Sequence, residues 1–370
     1  MFKHEIFRFQ KILCLILFVG SISCGANDST DSSGLSDAEI DEKREAVLQY
    51  ISDLSSGLRD GVLSGQNCGL GNEISDKNYN RFVEALYNQT GKYVSIVGVD
   101  YEFRWEHSID DLKAANKVLK DHWASGGLVA VTMSPVNPWG KKHNWEDIRP
   151  SDWPGGKDEG TDLMKLITPG SDKYEGWMAK LDRLAEALLD LKKSGVIVLW
   201  RPMQEMNGWW FWWGKTDAYH LADQHPSYIA VWRHMHDYFT KSKNLNNLLW
   251  VFSPTQNQAF STFPYPGDDY VDIVAGTEYR DDLSITGYDD FLAYNKPVGI
   301  AEYGPSEFGP KVDGSFDNIL YLTRLKNDYP RIAFWTTWES WDGVKMSLVD
   351  NQNSSALLND PYVLNRGSRP

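Results

Sequence analysis

Two glutamates in this 370-residue chain have the surroundings that acid–base chemistry requires. Glu205 lies between Met203 and Met206, directly ahead of Trp209, Trp210, Trp212 and Trp213. Apolar neighbours disfavour the charged form of a carboxyl, so Glu205 is the better candidate for a group that meets its substrate still protonated. Glu302 follows the apolar run Val298–Ala301 and precedes Tyr303. A tyrosine hydroxyl, such as that of Tyr279, would hold it ionised and aimed. A carboxylic acid facing a carboxylate is the equipment for cleaving a glycosidic bond, since the acid protonates the leaving oxygen while the carboxylate meets the oxocarbenium ion. In the retaining version the two stand roughly 5–5.5 Å apart, and the carboxylate attacks the anomeric carbon.

The aromatic content fits a saccharide ligand. Of 16 tryptophans, five fall between Trp200 and Trp213, and aromatic faces stack on the C–H faces of sugar rings. Neither helical nor strand periodicity can hide all of Trp209, Trp210, Phe211, Trp212 and Trp213 on one face, so a ligand-facing share is expected. The balance of 37 basic and 51 acidic residues, a formal charge of −14, argues against nucleic acid or an anionic membrane surface as a partner, since both favour a basic face. With 42% hydrophobic and 24% charged residues, the composition is that of a globular protein with ample core.

Positioning such a pair falls to eight apolar or β-branched runs: residues 61–66, 94–101, 128–135, 196–203, 248–254, 271–279, 297–304 and 331–338. Near-continuous apolar runs are typical of buried parallel strands, and the segments between them are long enough for crossover helices. One helix is expected from Ser36, with Asp37, Glu39 and Asp41 in its first turns. Another carries Trp177, Leu181, Leu184, Leu188 and Leu191 on one face before stopping at Ser194-Gly195. The pattern predicts the α/β class and a (β/α)8 TIM barrel, a fold that needs about 250 residues. A doubly wound open sheet is the runner-up, but no Gly-rich phosphate turn follows any strand. In such barrels chemistry gathers where the strands end. Asp100 and Tyr101 follow strand two, Glu205 strand four and Tyr279 strand six; Glu302 ends strand seven and Trp338 follows strand eight.

The N-terminus reads as an address. Lys3, Arg8 and Lys11 precede the apolar run Ile12–Gly20 and the small residues before Cys24, which is the form of a signal peptide over 1–23. Ending on Cys24 is similar to a bacterial lipobox, so the expected product is exported and lipid-anchored at the cell envelope, at the outer membrane or the cell surface. A plain signal peptide is the alternative. Residues 24–36 are a polar tether, and 37–367 form the catalytic domain. Cys68 then stands alone and is expected to be a buried structural thiol.

Trp200-Arg201-Pro202-Met203-Gln204-Glu205-Met206-Asn207-Gly208-Trp209-Trp210-Phe211-Trp212-Trp213-Gly214 resembles the acid/base signature of glycoside hydrolase family 26. The family is best known for endo-β-1,4-mannanases. Gly299-Ile300-Ala301-Glu302-Tyr303-Gly304 looks like its nucleophile strand, and the likeness runs from Leu63 to Leu364. The resemblance implies Glu205 as acid/base, Glu302 as nucleophile and Tyr279 as the residue positioning it. It also implies Trp210 as a cleft aromatic and Trp338 as a platform under the sugar, with Asp100 and Gln204 among the substrate-binding positions. It implies no metal or organic cofactor, and the eight histidines are scattered. Two positions depart from the family's mannanases. Gln204 stands where His usually precedes the acid/base, and Met133-Ser134 replaces a Trp-His pair ahead of Asn137-Pro138. Gln donates and accepts hydrogen bonds but does not titrate. The expected activity is that of a retaining endo-β-glycanase, a monomer acting on a neutral polysaccharide, most simply β-1,4-mannan or glucomannan. Mixed-linkage β-glucan and β-1,3-xylan remain open as substrates of the same family, and a non-catalytic glycan-binding lipoprotein is the reading from another class. The long segment 138–174 is expected to form a loop over the cleft.

Overall fold

The computed structural model describes residues 34–70, 77–102, 106–140, 161–208, 210–214, 221–255 and 264–370. The expected signal peptide, Cys24 and most of the tether lie outside the described residues, as do Trp209 and residues 141–160 of the long cleft segment.

Ten strands follow one another: β1 (Val62–Leu63), β2 (Gly65–Leu70), β3 (Ile96–Asp100), β4 (Leu128–Met133), β5 (Val198–Pro202), β6 (Leu248–Phe252), β7 (Ile273–Tyr279), β8 (Val298–Gly304), β9 (Ile332–Thr337) and β10 (Val363–Leu364). Strands β2 to β9 pair in chain order and in parallel, and β9 pairs with both β8 and β2. The result is a closed eight-stranded barrel, with no free edge to protect. Around it run α1 (Asp37–Ser56), α2 (Ala85–Thr90), α3 (Ile109–Ala124), α4 (Tyr174–Lys193), α5 (Leu221–Asp237), α6 (Tyr288–Leu292), α7 (Asn318–Asp328) and α8 (Ser354–Leu358). The fold is the (β/α)8 barrel that the strand count predicts.

The first barrel strand differs from its expected limits of 61–66. It breaks at Ser64 and runs on to Leu70, while β1 pairs with β10 and β9 beneath it. The apolar run stops at Gln66 because Asn67, Cys68 and Gly69 belong to the polar end of the barrel, where pairing continues but hydrophobicity does not. Cys68 is fully buried there, and burial pushes its thiol well above the ordinary range.

Helix α1 starts where Ser36 predicts, with a reciprocal capping box between Ser36 and Glu39. It lies across the N-terminal ends of the strands. Arg44 donates to the Leu248 carbonyl at 2.8 Å and pairs with Asp272 at 2.5 Å. The Ser55 hydroxyl accepts from the Val298 amide at 2.9 Å and donates to the Arg331 carbonyl at 2.9 Å. These bonds tie the starts of β6, β8 and β9 to one helix. In α4, Trp177, Leu181, Leu184, Leu188 and Leu191 are all buried, as their spacing requires.

The tryptophan cluster is mostly core. Trp200, Trp212 and Trp213 are at most 1% exposed, so they offer no face to a sugar. Trp200 points out of the barrel against Trp250 and Phe239. Trp212 and Trp213 cross edge to face at 5.5 Å. Their indole N–H groups donate to the carbonyls of Pro135 (2.6 Å) and Gln204 (2.8 Å). Periodicity fails to foresee this because the segment is neither helix nor strand: it is a folded loop whose rings pack under the residues that carry Glu205.

Candidate active site

The loop after β5 is bent hard. Met203 and Glu205 have φ of 47° and 56°, left-handed values that side chains other than glycine rarely take and that cost about 1–3 kcal/mol each. The surroundings hold them there. Met203 donates its amide to the Met133 carbonyl at 2.9 Å, and Glu205 to that of Ser253 at 2.7 Å. Asn207 exchanges two bonds with the Thr255 backbone, at 2.9 and 2.8 Å. Neighbouring strands β4 and β6 thus set the direction of the Glu205 side chain.

Glu205 is 7% exposed, and the Trp210 indole donates to its Oε2 at 2.6 Å. Gly208 makes that bond possible, because a Cβ at 208 would stand 2.5 Å from the Trp210 ring. Burial pushes the Glu205 carboxyl up to about 7; the charge on Glu302 adds to the rise, while Arg201, Trp210 and Thr277 oppose it.

Glu302, in β8, is held from two sides. Arg201 donates to its Oε1 at 2.5 Å and the Tyr279 hydroxyl to its Oε2 at 2.7 Å. Burial and the neighbouring Glu302 keep the Tyr279 phenol well above its ordinary range, so it remains a donor. Arg201 is 4% exposed and fixed by the hydroxyls of Ser253 (2.8 Å), Thr277 (3.2 Å) and Thr132 (3.3 Å). A buried carboxylate left without its cation is strongly penalised, so the pair and its hydroxyls act as one unit. The register between β7 and β8 slips after Gly276 and sets Thr277 opposite Glu302. Thr277, hydrogen-bonded to both Arg201 and Glu205, therefore links the two carboxyl environments.

Beside this set runs a second chain of bonds. The Gln204 amide donates to the Ser134 hydroxyl at 2.7 Å, which donates to Asp100 Oδ2 at 2.5 Å. Asp100 is wholly buried, and its Oδ1 accepts from the amides of Glu102 (3.1 Å) and Ser134 (3.2 Å). Burial pushes Asp100 up to about 6 against those bonds. Its place is beneath the cleft, so any influence on a sugar runs through Ser134 and Gln204. Trp338 follows β9 and donates its amide to the Tyr303 carbonyl at 3.4 Å, beside the Glu302 backbone.

The structure thus gathers Glu205, Glu302, Tyr279 and Trp210 into one hydrogen-bonded set, sets Gln204 and Asp100 in an adjoining one, and places Trp338 at the same end of the barrel. Sequence reasoning missed Arg201 and Thr277. The signal for Arg201 was present: a lone cation inside the otherwise apolar run 196–203 must find an anion when that strand is buried. No group of three or more metal-binding side chains comes together among the described residues.

A carboxyl poised near neutrality, next to one held between a guanidinium and a phenol at the mouth of a barrel, is an acid facing an anion. The sequence profile of glycosyl hydrolase family 26 matches residues 36–368. The chain belongs to that family. It is a glycoside hydrolase. It is similar to a protein named mannan endo-1,4-beta-mannosidase A and B from Caldalkalibacillus mannanilyticus, at 32% identity over 96% of this chain and 67% of that one. It is likewise similar to the mannan endo-1,4-beta-mannosidase of Bacillus subtilis, at 31% identity over 87% of this chain and 85% of that one. Among solved structures, the YdhT protein from Bacillus subtilis superposes with a TM-score of 0.75 at 30% identity, covering 89% of this chain and 95% of that one.

The geometry gives one direct expectation. Tyr279→Phe removes a hydrogen bond to a charged group, worth about 1.5–3 kcal/mol, and kcat is expected to fall roughly 10- to 150-fold. Thermal melting should fall by only a few degrees, because the ring remains and Arg201 still pairs with Glu302. Steady-state kinetics beside a melting curve check this.

Proposed function

We propose that the chain is a retaining endo-β-glycanase that cleaves β-1,4-mannan or glucomannan by double displacement. Glu302 attacks the anomeric carbon while Glu205 gives its proton to the departing glycosidic oxygen, leaving a glycosyl ester on Glu302 and an ionised Glu205. Glu205 then takes a proton from water as that water attacks the same carbon, which frees Glu302 and restores the acid. The observation that carries this reading is the asymmetry of the pair: one carboxyl is pushed up to about 7, and the other is clamped by Arg201 and Tyr279. Mannan is favoured by the names of the relatives, mannan endo-1,4-beta-mannosidases at 31–32% identity.

A second reading, mixed-linkage β-glucan or β-1,3-xylan, is favoured by the Gln204–Ser134 pair, an uncharged arrangement where the family's mannanases carry histidines. The deciding experiment digests mannan, glucomannan, mixed-linkage glucan and β-1,3-xylan, identifies the oligosaccharides, and reads the first-formed anomer by NMR. β-Anomers from mannan are the expected result; initial α-anomers would overturn retention. A binding protein would release nothing from any of the four. Export and lipidation at Cys24, placing the enzyme at the bacterial envelope, complete the proposal. Loss of a lipid label in Cys24→Ala is expected, and an unlabelled wild type removes this part.

A further inference from the structure

One atom beside the acid is left without a partner. Gln204 is 2% exposed, and its Oε1 completes no hydrogen bond among the described residues. A buried acceptor without a donor is costly, so something must hold the amide this way round. The turn that carries it is pinned on both sides. The Met203 carbonyl accepts from the Tyr228 hydroxyl at 3.0 Å and the Gln204 carbonyl from the Trp213 indole at 2.8 Å. The Glu205 amide donates to the Ser253 carbonyl. The backbone therefore fixes where the side chain starts, and its Nε2 ends on Ser134.

The direction of the amide follows from counting protons. Asp100 Oδ1 already accepts the amides of Glu102 and Ser134, so its Oδ2 is the oxygen that meets the Ser134 hydroxyl. A serine hydroxyl has one proton to give. With Asp100 ionised, that proton goes to Oδ2, and the hydroxyl can only accept from Gln204. Gln204 must then turn its NH2 toward Ser134 and its oxygen away. Asp100 is pushed up to about 6, so it is still largely a carboxylate at neutral pH. Asp100 ends β3, Ser134 follows β4 and Gln204 follows β5. The relay thus lies along the strand-end face where such barrels take their ligands.

We propose that Asp100 is a positioning residue that sets the polarity of Gln204, so that Gln204 meets the sugar at the cleavage point as an acceptor and demands a free hydroxyl there. The inference rests on the proposed cleavage of β-mannosides. Asp100→Asn inverts the relay. Its oxygen still takes the two backbone amides, while its NH2 donates to Ser134. Ser134 then donates to Gln204, whose amide turns over and presents NH2 in place of oxygen. Ser134→Ala breaks the relay and leaves the amide free to take either orientation.

The kinetic test, at neutral pH, uses 2,4-dinitrophenyl β-mannobiosides. In the sugar next to the phenol, hydrogen or fluorine replaces each free hydroxyl in turn. Fluorine accepts weakly and never donates. At one position wild type is expected to lose about 10- to 100-fold in kcat/KM with either replacement. Asp100→Asn should raise the fluoro-to-deoxy ratio there by about tenfold. Comparing the two proteins cancels the effect of fluorine on the anomeric carbon itself. Ser134→Ala should fall between them, and it serves alone if Asp100→Asn folds poorly. A ratio that neither variant changes at any position overturns the proposal.

A second readout needs no hydrolysis. The side-chain amide protons of Gln204, assigned by their absence in Gln204→Ala, should exchange slowly in wild type, where Ser134 holds the NH2, and faster in Asp100→Asn. Equal exchange in the two proteins also overturns the proposal. A protein that hydrolyses none of these probes defeats the proposed function instead, and the exchange rates still decide how Gln204 is held.

Discussion

Glu302→Ala is expected to lower kcat/KM by a factor on the order of 10⁴ or more, with substrate still bound. The nucleophile is the one group whose loss removes the covalent route altogether, and catalytic groups that act as a unit lose nearly all of the acceleration together. The variant also leaves Arg201 facing an empty space, a buried charge without its partner, so some loss of stability accompanies the loss of activity. The two effects separate cleanly. Azide added to Glu302→Ala should enter the vacated space, attack the anomeric carbon directly and restore turnover with an α-configured glycosyl azide as product. Rescue with a β-configured azide, or full activity without rescue, would show that Glu302 is not the attacking group. Wild type and variant should bind the polysaccharide comparably, and that binding shows that the fold is intact.

Glu205→Ala should behave differently with different leaving groups, and that contrast is its signature. General acid catalysis contributes about 10²- to 10⁴-fold, so polysaccharide hydrolysis is expected to fall by that much. A 2,4-dinitrophenyl glycoside, which departs without a proton, should still form the glycosyl ester and then stall, giving a burst followed by slow turnover. The pH profile carries the same information. Glu205 must enter the first step protonated, and burial places that proton loss at about 7. Wild-type kcat/KM on polysaccharide is therefore expected to decline above neutrality, and the limb to vanish in Glu205→Ala. The sign on stability is the same. A carboxyl that holds its proton more tightly in the fold than in the unfolded chain supports the fold fully at pH values below its unfolded value. That support is lost as pH rises through about 7. An unchanged alkaline limb in the variant would remove Glu205 from the role of acid.

Much of this site was legible in the sequence because barrels put their chemistry at strand ends, and strand ends can be found from apolar runs. Glu205, Tyr279 and Glu302 were locatable in that way before any contact was known. The support was less legible. Arg201 lies inside a strand, where its partner depends on which side chains the closed barrel turns inward, and no spacing rule conveys that. Thr277 stands opposite Glu302 only because the register slips after Gly276, a local irregularity with no periodic signature. The run of tryptophans is expected to have a ligand-facing share, but its spacing does not show that Trp212 and Trp213 fall on the buried side. Their burial follows from a loop conformation with left-handed residues at 203 and 205, which residue types such as Met and Glu do not announce.

The chain enters the barrel through its floor. Asp37, at the head of α1, is bonded to Lys192 (2.6 Å) and Asn244 (2.8 Å), at the end of α4 and just ahead of β6. Both belong to the face from which the strands set out. A pull applied at Gly34 would therefore act on the end of the barrel remote from Glu205 and Glu302. The mouth lies at the other end, so a load applied at Gly34 would be borne by α1 and the starts of β6, β8 and β9 rather than by the residues that hold the two glutamates.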